Sequence, residues 1–184
     1  MKKAATILLA VAVVGLLLIM GRPQQPRSET ESAEQLYNAG YLLTLLGHYE
    51  KAIELFRRSL EVQIAYTYLG WTYAQMGDYP RAIEEAQNAI RVDPDFGNPY
   101  NDIGVYLIEQ RKEDEAIPYL EKATRAKRYC CYQFPYFNLG RIYLKKKTYD
   151  KARWGFEKCL EIHRDYLPAR EGLELLAETG AKET

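Results

Sequence analysis

Cysteine and histidine are scarce in this chain, with three and two residues among 184. So few thiols and imidazoles exclude a disulfide-dense scaffold and leave little material for a metal cage. Net charge is missing as well: 25 basic side chains face 25 acidic ones, which argues against a protein built to coat nucleic acid. Motifs that carry chemistry are also absent. There is no Gly-rich phosphate loop, no Gly-x-Ser-x-Gly elbow and no His-Glu-x-x-His. His48 falls in a turn and His163 at a helix end, without ligand neighbours. No carboxylate is singled out by an apolar setting that would tune it for acid–base work. The residues therefore point away from an enzyme and ask for no cofactor and no metal.

One long apolar run is present. Met1-Lys2-Lys3, a short n-region at 1–3, leads into an uncharged stretch at 4–21, 18 residues long. As a helix it would reach roughly 27 Å, close to the hydrocarbon thickness of a bilayer. Its exit, Leu18-Ile19-Met20-Gly21-Arg22-Pro23, lacks the small-x-small pattern of a cleaved signal, and Ala10-Val11-Ala12 lies in mid-run. We read 4–21 as an uncleaved signal-anchor, one N-terminal transmembrane helix; an atypically cleaved signal is the alternative. Lys2, Lys3 and the terminal amine against Arg22 and Arg27 bias the N-terminus slightly to the cytoplasm. Residues 22–32, with two Pro, two Gln and two Ser, read as a linker. The start resembles bacterial inner-membrane anchors. That implies a single-pass protein of the bacterial inner membrane, with the rest in the periplasm or outside the cell.

The body repeats itself. Ala39-Gly40, Leu69-Gly70, Ile103-Gly104 and Leu139-Gly140 stand in equivalent contexts. Twelve residues after each Gly comes Ala52, Ala82, Ala116 or Ala152, then Phe56, Ala86, Leu120 or Phe156, then Ser59, Ala89, Ala123 or Cys159. Apolar residues recur at three and four along each segment, the period of one helix face. Turn signals split each repeat at Gly47-His48-Tyr49, Gly77-Asp78-Tyr79-Pro80, Arg111-Lys112-Glu113-Asp114 and Lys147-Thr148-Tyr149-Asp150. Each repeat is then a helix pair whose apolar face is completed by its neighbours. Tyr is frequent, at 16 residues, and half of these fall in packing or turn slots of the repeat. A last amphipathic stretch bearing Leu173, Leu175 and Leu176 reads as a capping helix.

This arrangement resembles the tetratricopeptide repeat family, most fully in Tyr66-x-x-Leu69-Gly70-x-x-Tyr73 followed by Ala82, Ala89 and Asp93-Pro94. The resemblance implies an all-α fold: a right-handed superhelical α-solenoid of four helix pairs, at 33–62, 63–96, 97–132 and 133–166. A capping helix would follow at 167–179 and a tail at 180–184. The Gly-to-Gly spacings are 30, 34 and 36 residues. The first implies a tight turn near Val62-Gln63 or a lost helix end. The last adds residues around Tyr129-Cys130-Cys131-Tyr132.

The resemblance also implies where a partner would sit. The first helix of each pair lines a concave wall, which would carry Tyr37, Tyr41, Thr67, Trp71, Gln75, Asn101, Val105, Glu109, Phe134, Phe137, Arg141 and Lys145. Aromatics with a few polar groups suit an extended peptide or a helix. One subgroup of the family clamps a C-terminal carboxylate with Lys and Asn in its first pair and Lys and Arg in its third. Here those slots hold Tyr37, Tyr41, Asn98 and Asp102, so that clamp is not expected.

Charge is unevenly placed. From Glu29 to Ala123, 17 acids face 8 bases; from Thr124 to Arg170, 4 acids face 12 bases. Such a polar chain could steer an acidic partner, lie near anionic lipid, or present an ordinary solvated surface. Cys159 fills a small packing slot, while adjacent Cys130 and Cys131 are poorly placed to bridge each other. A bridge to Cys159, or one between molecules, stays open. The function expected is a non-catalytic interaction scaffold at a membrane, holding a partner peptide or subunit and no nucleic acid. The resemblance suggests envelope complex assembly, with pilus biogenesis and cytochrome maturation as examples. A permanent subunit of a larger membrane complex is the alternative, and a thiol-dependent maturation factor the lesser one.

Overall fold

The structure, a computed structural model, describes residues 32–59 and 64–180. The expected membrane span at 4–21, the linker up to residue 31, the turn near Val62-Gln63 and residues 181–184 lie outside the described residues. Among the described residues no helix is long and apolar enough to cross a membrane.

The described residues form nine α-helices: α1 (Ala33–Leu45), α2 (Tyr49–Arg58), α3 (Ile64–Gln75), α4 (Tyr79–Val92), α5 (Asn98–Glu109), α6 (Glu113–Ala123), α7 (Gln133–Lys145), α8 (Tyr149–Ile162) and α9 (Leu167–Gly180). Local chemistry starts several of them. The Ser32 hydroxyl accepts from the Gln35 amide at 3.2 Å, and the Gln35 side chain accepts from the Ser32 amide at 3.0 Å, a capping box that opens α1. Asp78 accepts from the Arg81 amide at the head of α4, where Pro80 sits in the first turn.

All four intrapair turns are built alike. The amides of His48, Asp78, Lys112 and Thr148 donate to the carbonyls of Leu43, Tyr73, Leu107 and Tyr143 at 2.8–2.9 Å, the closing bond of a Schellman turn. That turn needs one left-handed residue. Gly47 and Gly77 supply it in the first two pairs, with φ of 76° and 78°. Arg111 and Lys147 supply it in the last two, at 59° and 56°, at a cost of about 1 kcal/mol each. The third pair thus keeps the turn without the glycine that usually marks it.

The repeated small and large slots are the core. Ala52, Ala82, Ala116 and Ala152 are wholly buried, as are Phe56, Leu120 and Phe156 beside them. Each large residue lies against the glycine of its own pair: Phe56 on Gly40, Leu120 on Gly104 and Phe156 on Gly140. In the second pair Ala86 takes the large slot, and the helices close until a Cβ on Gly70 would lie 3.0 Å from the Ala82 carbonyl oxygen.

Each first helix packs on the second helix before it and touches the first helix of the next pair, whereas the second helices do not meet one another. The first helices therefore form a continuous wall. Helix α9 packs on α8 and reaches α7; its Ala169 and Leu176 are buried there.

The irregular spacings have local causes. Helix α2 has 10 residues where α4 and α8 have 14, so one lost turn accounts for the short first interval. Helix α6 has 11 and is followed by a longer connection, 124–132. That connection pairs with the one before α5. Gly97 donates its amide to the Arg128 carbonyl at 2.9 Å, and Arg128 donates its own to Asp95 at 3.0 Å. Ion pairs join this seam, Arg128 with Asp93 and Lys127 with Asp95, and two more tie the head of α6 to the end of α7, Lys145 with Glu113 and Lys146 with Asp114. Part of the charge polarity of the sequence is thus matched within the stack, at two places.

All three cysteines are free; Cys130 is exposed, Cys131 partly buried and Cys159 buried. Hydrogen bonding with Cys130, then burial, pushes the Cys131 thiol up to about 11. Burial does the same to Cys159.

Candidate partner-binding wall

Four rings gather where α1 meets α3. Tyr37 and Tyr41 lie one turn apart on α1 and share Tyr68 of α3, edge-on at 5.1 and 5.4 Å. Trp71 stacks on Tyr41 at 6.0 Å and meets Tyr68 edge-on at the same distance. All four are partly exposed. Tyr68 is absent from the expected wall. The signal that could have found it is its place three residues before Trp71, on the same helix face. Burial and a hydrogen bond with Tyr68 raise the Tyr37 hydroxyl well above its ordinary range.

Thr67 and Asn101 are withdrawn from the surface, each with only 8% of its area exposed. They lie three residues before Gly70 and Gly104, in first helices that touch one another. Asn138 Nδ2 donates to Asn101 Oδ1 at 3.4 Å within the α5–α7 seam. In the α1–α3 seam, Thr44 and Thr72 share a buried hydrogen bond of 2.9 Å. Val105 is partly buried against the core of the second pair, while Gln75 and Glu109 are exposed.

The aromatic end of α7 is engaged by the chain itself. Tyr166, arriving from the α8–α9 connection, meets Phe137 at 5.2 Å and Phe134 at 6.0 Å. Phe137 also tilts against the buried Phe156. Farther along α7 the wall is charged. The Arg141 guanidinium lies over the Phe137 ring, 5.7 Å from its centre, and Lys145 pairs with Glu113. Here the wall opens into a cleft of about 600 Å³, lined by Ile108, Glu109, Arg111 and Glu113 from α5 and the head of α6 and by Arg141 and Lys145 from α7.

Asp102, one turn into α5, has neutral neighbours in Asn101, Tyr106 and Tyr129. Burial pushes its carboxyl up to about 7, against a smaller opposing effect of the Asn101 hydrogen bond. Between the ordinary carboxylate range and that value, the unfolded chain carries the charge while the folded chain keeps the proton. The folded state binds more protons, so stability falls as pH rises through this window. Asp102→Asn is therefore expected to melt about 3 °C or more above the parent at about pH 8 and level with it at about pH 4. Thermal melts at the two pH values check this; an equal difference at both would remove the titration.

Profiles of the tetratricopeptide repeat match residues 69–129 and, separately, 33–63 and 135–166. The matches break at 64–68 and 130–134, in the two intervals whose spacing departs from 34. The type IV pilus assembly protein PilF of Pseudomonas aeruginosa is 26% identical over 208 aligned positions, taking in 98% of this chain and 81% of that protein. Among solved structures, PilW, a widely conserved type IV pilus biogenesis factor, superimposes with a TM-score of 0.70 at 17% identity, over 83% of this chain and 73% of that one. MamA superimposes with a TM-score of 0.68 at 22% identity, over 81% and 82%. Identities of this size carry a likeness of fold.

Proposed function

The chain belongs to the tetratricopeptide repeat family, and from that premise we propose that it is a non-catalytic scaffold holding a segment of a partner protein along the wall of its first helices. The observation that carries this is the cluster of Tyr37, Tyr41, Tyr68 and Trp71, four mutually supported rings left partly open to solvent. Rigid aromatic surface of this kind gives contact area at low entropic cost, and Trp and Tyr are the residues over-represented among binding hot spots. The finer reading is an envelope assembly factor of the kind that PilF and PilW represent, anchored in the bacterial inner membrane through 4–21 with its repeats in the periplasm. The alignment with PilF, which takes in 98% of this chain, supports the first part; the basic start and apolar run support the second.

Cross-linking in intact membranes, followed by recovery of the full chain, tests the scaffold reading. Tyr41→Ala with Trp71→Ala is expected to lower recovery of the partner about tenfold or more. The melting temperature should fall by only a few degrees, because both rings are partly exposed. Unchanged recovery, or collapse of the fold, would show that the rings are packing residues. Protease added to spheroplasts should digest the repeats and leave the anchor in the membrane fraction; full protection would reject the periplasmic placement.

A further inference from the structure

We propose that the outer face of α1 seats the same face of a second copy of this chain, in a two-fold dimer with the two α1 helices antiparallel; this goes beyond the scaffold reading and takes from it only the shared membrane.

Comparison among the repeats reveals the open seat. Each later first helix turns one stripe onto the second helix before it. Leu69 of α3 shares a core with Ala52 and Phe56 of α2, and Ile103 of α5 with Ala86 of α4. Tyr106 of α5 meets Tyr79 of α4 at 6.3 Å. Two residues past each glycine stand Leu42, Thr72, Tyr106 and Ile142. The last three are 0%, 6% and 2% exposed, whereas Leu42 is 58% exposed. Among the described residues no helix precedes α1, so its stripe of Gln35, Ala39, Leu42 and Leu46 lies open, Ala39 in part. This end is also more apolar than its counterparts. Leu45 and Leu46, both exposed, stand where the other pairs carry Gln75, Glu109 and Lys145, then Met76, Gln110 and Lys146. A terminal repeat needs a polar outer face to stay soluble alone, and α1 lacks one.

The surroundings select the occupant. Residues 22–31 hold no Leu, Ile, Val, Phe or Met, so the stretch leading into α1 has nothing to lay on it, and 4–21 belongs to the bilayer in the reading above. The far end of the stack fits poorly, because α9 turns Arg170, Glu171, Glu174 and Glu178 outward, with Leu175 between them. The face fits itself instead. Its residues are spaced 4, 3 and 4 apart, a pattern that reads the same in both directions, as a two-fold contact requires. Turned about its midpoint, the stripe sets Leu42 over Ala39 of the second copy, large against small. Glu34 is the one charged residue of α1. Antiparallel pairing holds the two Glu34 carboxylates about 20 Å apart, each toward the second copy's α1–α2 turn, where Lys51 follows. Tyr37 and Tyr41 lie on another face of the helix, so both ring clusters stay open. A face about 20 Å long falls short of the ~800 Å² per partner that holds a dimer in free solution. Two copies confined to one membrane gain the local concentration that offsets this.

Cross-linking of the full chain in phosphatidylcholine vesicles tests the dimer, with Cys130→Ser and Cys131→Ser as background. Asn38→Cys, exposed beside the stripe, should give a dimer with a bismaleimide spanning about 10 Å, the separation of packed helices. Glu174→Cys, at the far end, should give almost none. About tenfold more lipid should lower the yield, as mass action requires. Leu42→Gln and, separately, Leu46→Glu should each lower it about tenfold or more. Their melts should stay within a few degrees of the background chain, because both leucines are exposed; Leu46→Glu alone decides should Leu42→Gln unfold. No dimer from Asn38→Cys at any lipid ratio, or equal yields from the two cysteines, would overturn the inference. So would a yield that survives the leucine changes, which would assign the pairing to 4–21. Sedimentation of the chain with the vesicles reads the anchor separately, and recovery of the partner reads the scaffold, so neither failure is mistaken for this one.

Discussion

Gly155→Val is expected to lower the melting temperature by about 6–12 °C, from a loss of about 3 kcal/mol or more. A Cβ at Gly155 would stand 2.7 Å from the Gly140 nitrogen, 2.8 Å from its Cα and 2.9 Å from the Tyr136 carbonyl oxygen. All three are backbone atoms of α7, so no side chain can swing aside; the helices themselves must part. Glycine against glycine brings α7 and α8 closer than a pair with a side chain here could come. The same slot, three residues after the conserved-slot alanine of each pair, holds Leu55, Glu85 and Tyr119 elsewhere. Gly104→Ala gives the contrast. Its Cβ would meet Cδ2 and Cγ of Leu120 at 2.4 and 2.6 Å, side-chain atoms that a rotamer change can shift, so it should cost less. Thermal melts followed by circular dichroism compare the two; a native melt for Gly155→Val would show that α7 and α8 do not cross at this point.

Phe156→Ala carries the second large effect. The ring is 1% exposed and joins three helices. It lies on Gly140 of α7, tilts against Phe137 at 6.0 Å, and would sit 2.6 Å from a Cβ at Gly172 of α9. Truncation should cost about 3–5 kcal/mol. Because each pair contacts its neighbours alone, the loss should stay local. Amides of α9 should exchange almost freely, while those of α3 and α4 keep most of their protection. Hydrogen exchange read by mass spectrometry separates this from the opposite outcome, an even loss along the chain, which would mark the stack as one cooperative unit.

Much of the fold was legible because a repeat states the same local rule four times. Gly40, Gly70, Gly104 and Gly140 against the alanine and large slots twelve and sixteen residues on describe contacts inside one helix pair, and such contacts follow from helical period alone. The short first interval pointed to a lost helix end, and α2 is one turn shorter than α4. The turns at Arg111 and Lys147 were harder to read. They adopt the left-handed conformation without glycine, because the packed helices on either side hold the turn closed.

The wall was less legible. Thr67 and Asn101 share a helix face with Trp71 and Val105 by arithmetic, yet they are buried, because how closely neighbouring first helices approach is a property of the stack. Tyr166 lies 29 residues beyond Phe137 in sequence, and nothing in the pattern announced that it would cover that ring. Gly155 did leave a trace, as the one glycine at a slot where the other pairs carry side chains. The charge polarity was visible, but its use was not: Asp93 and Asp95 meet Arg128 and Lys127 between two connections, and Glu113 and Asp114 meet Lys145 and Lys146 between α6 and α7.

By itself the sequence determined four helix pairs, their order, their small-to-large packing within each pair and the family they belong to, since each of these rests on residues a few turns apart. The tertiary structure alone decided which wall residues stay open, which rings the chain covers for itself, and which charges pair within the stack. Those outcomes depend on the distance and angle between successive pairs, and these are settled only when all the helices are stacked.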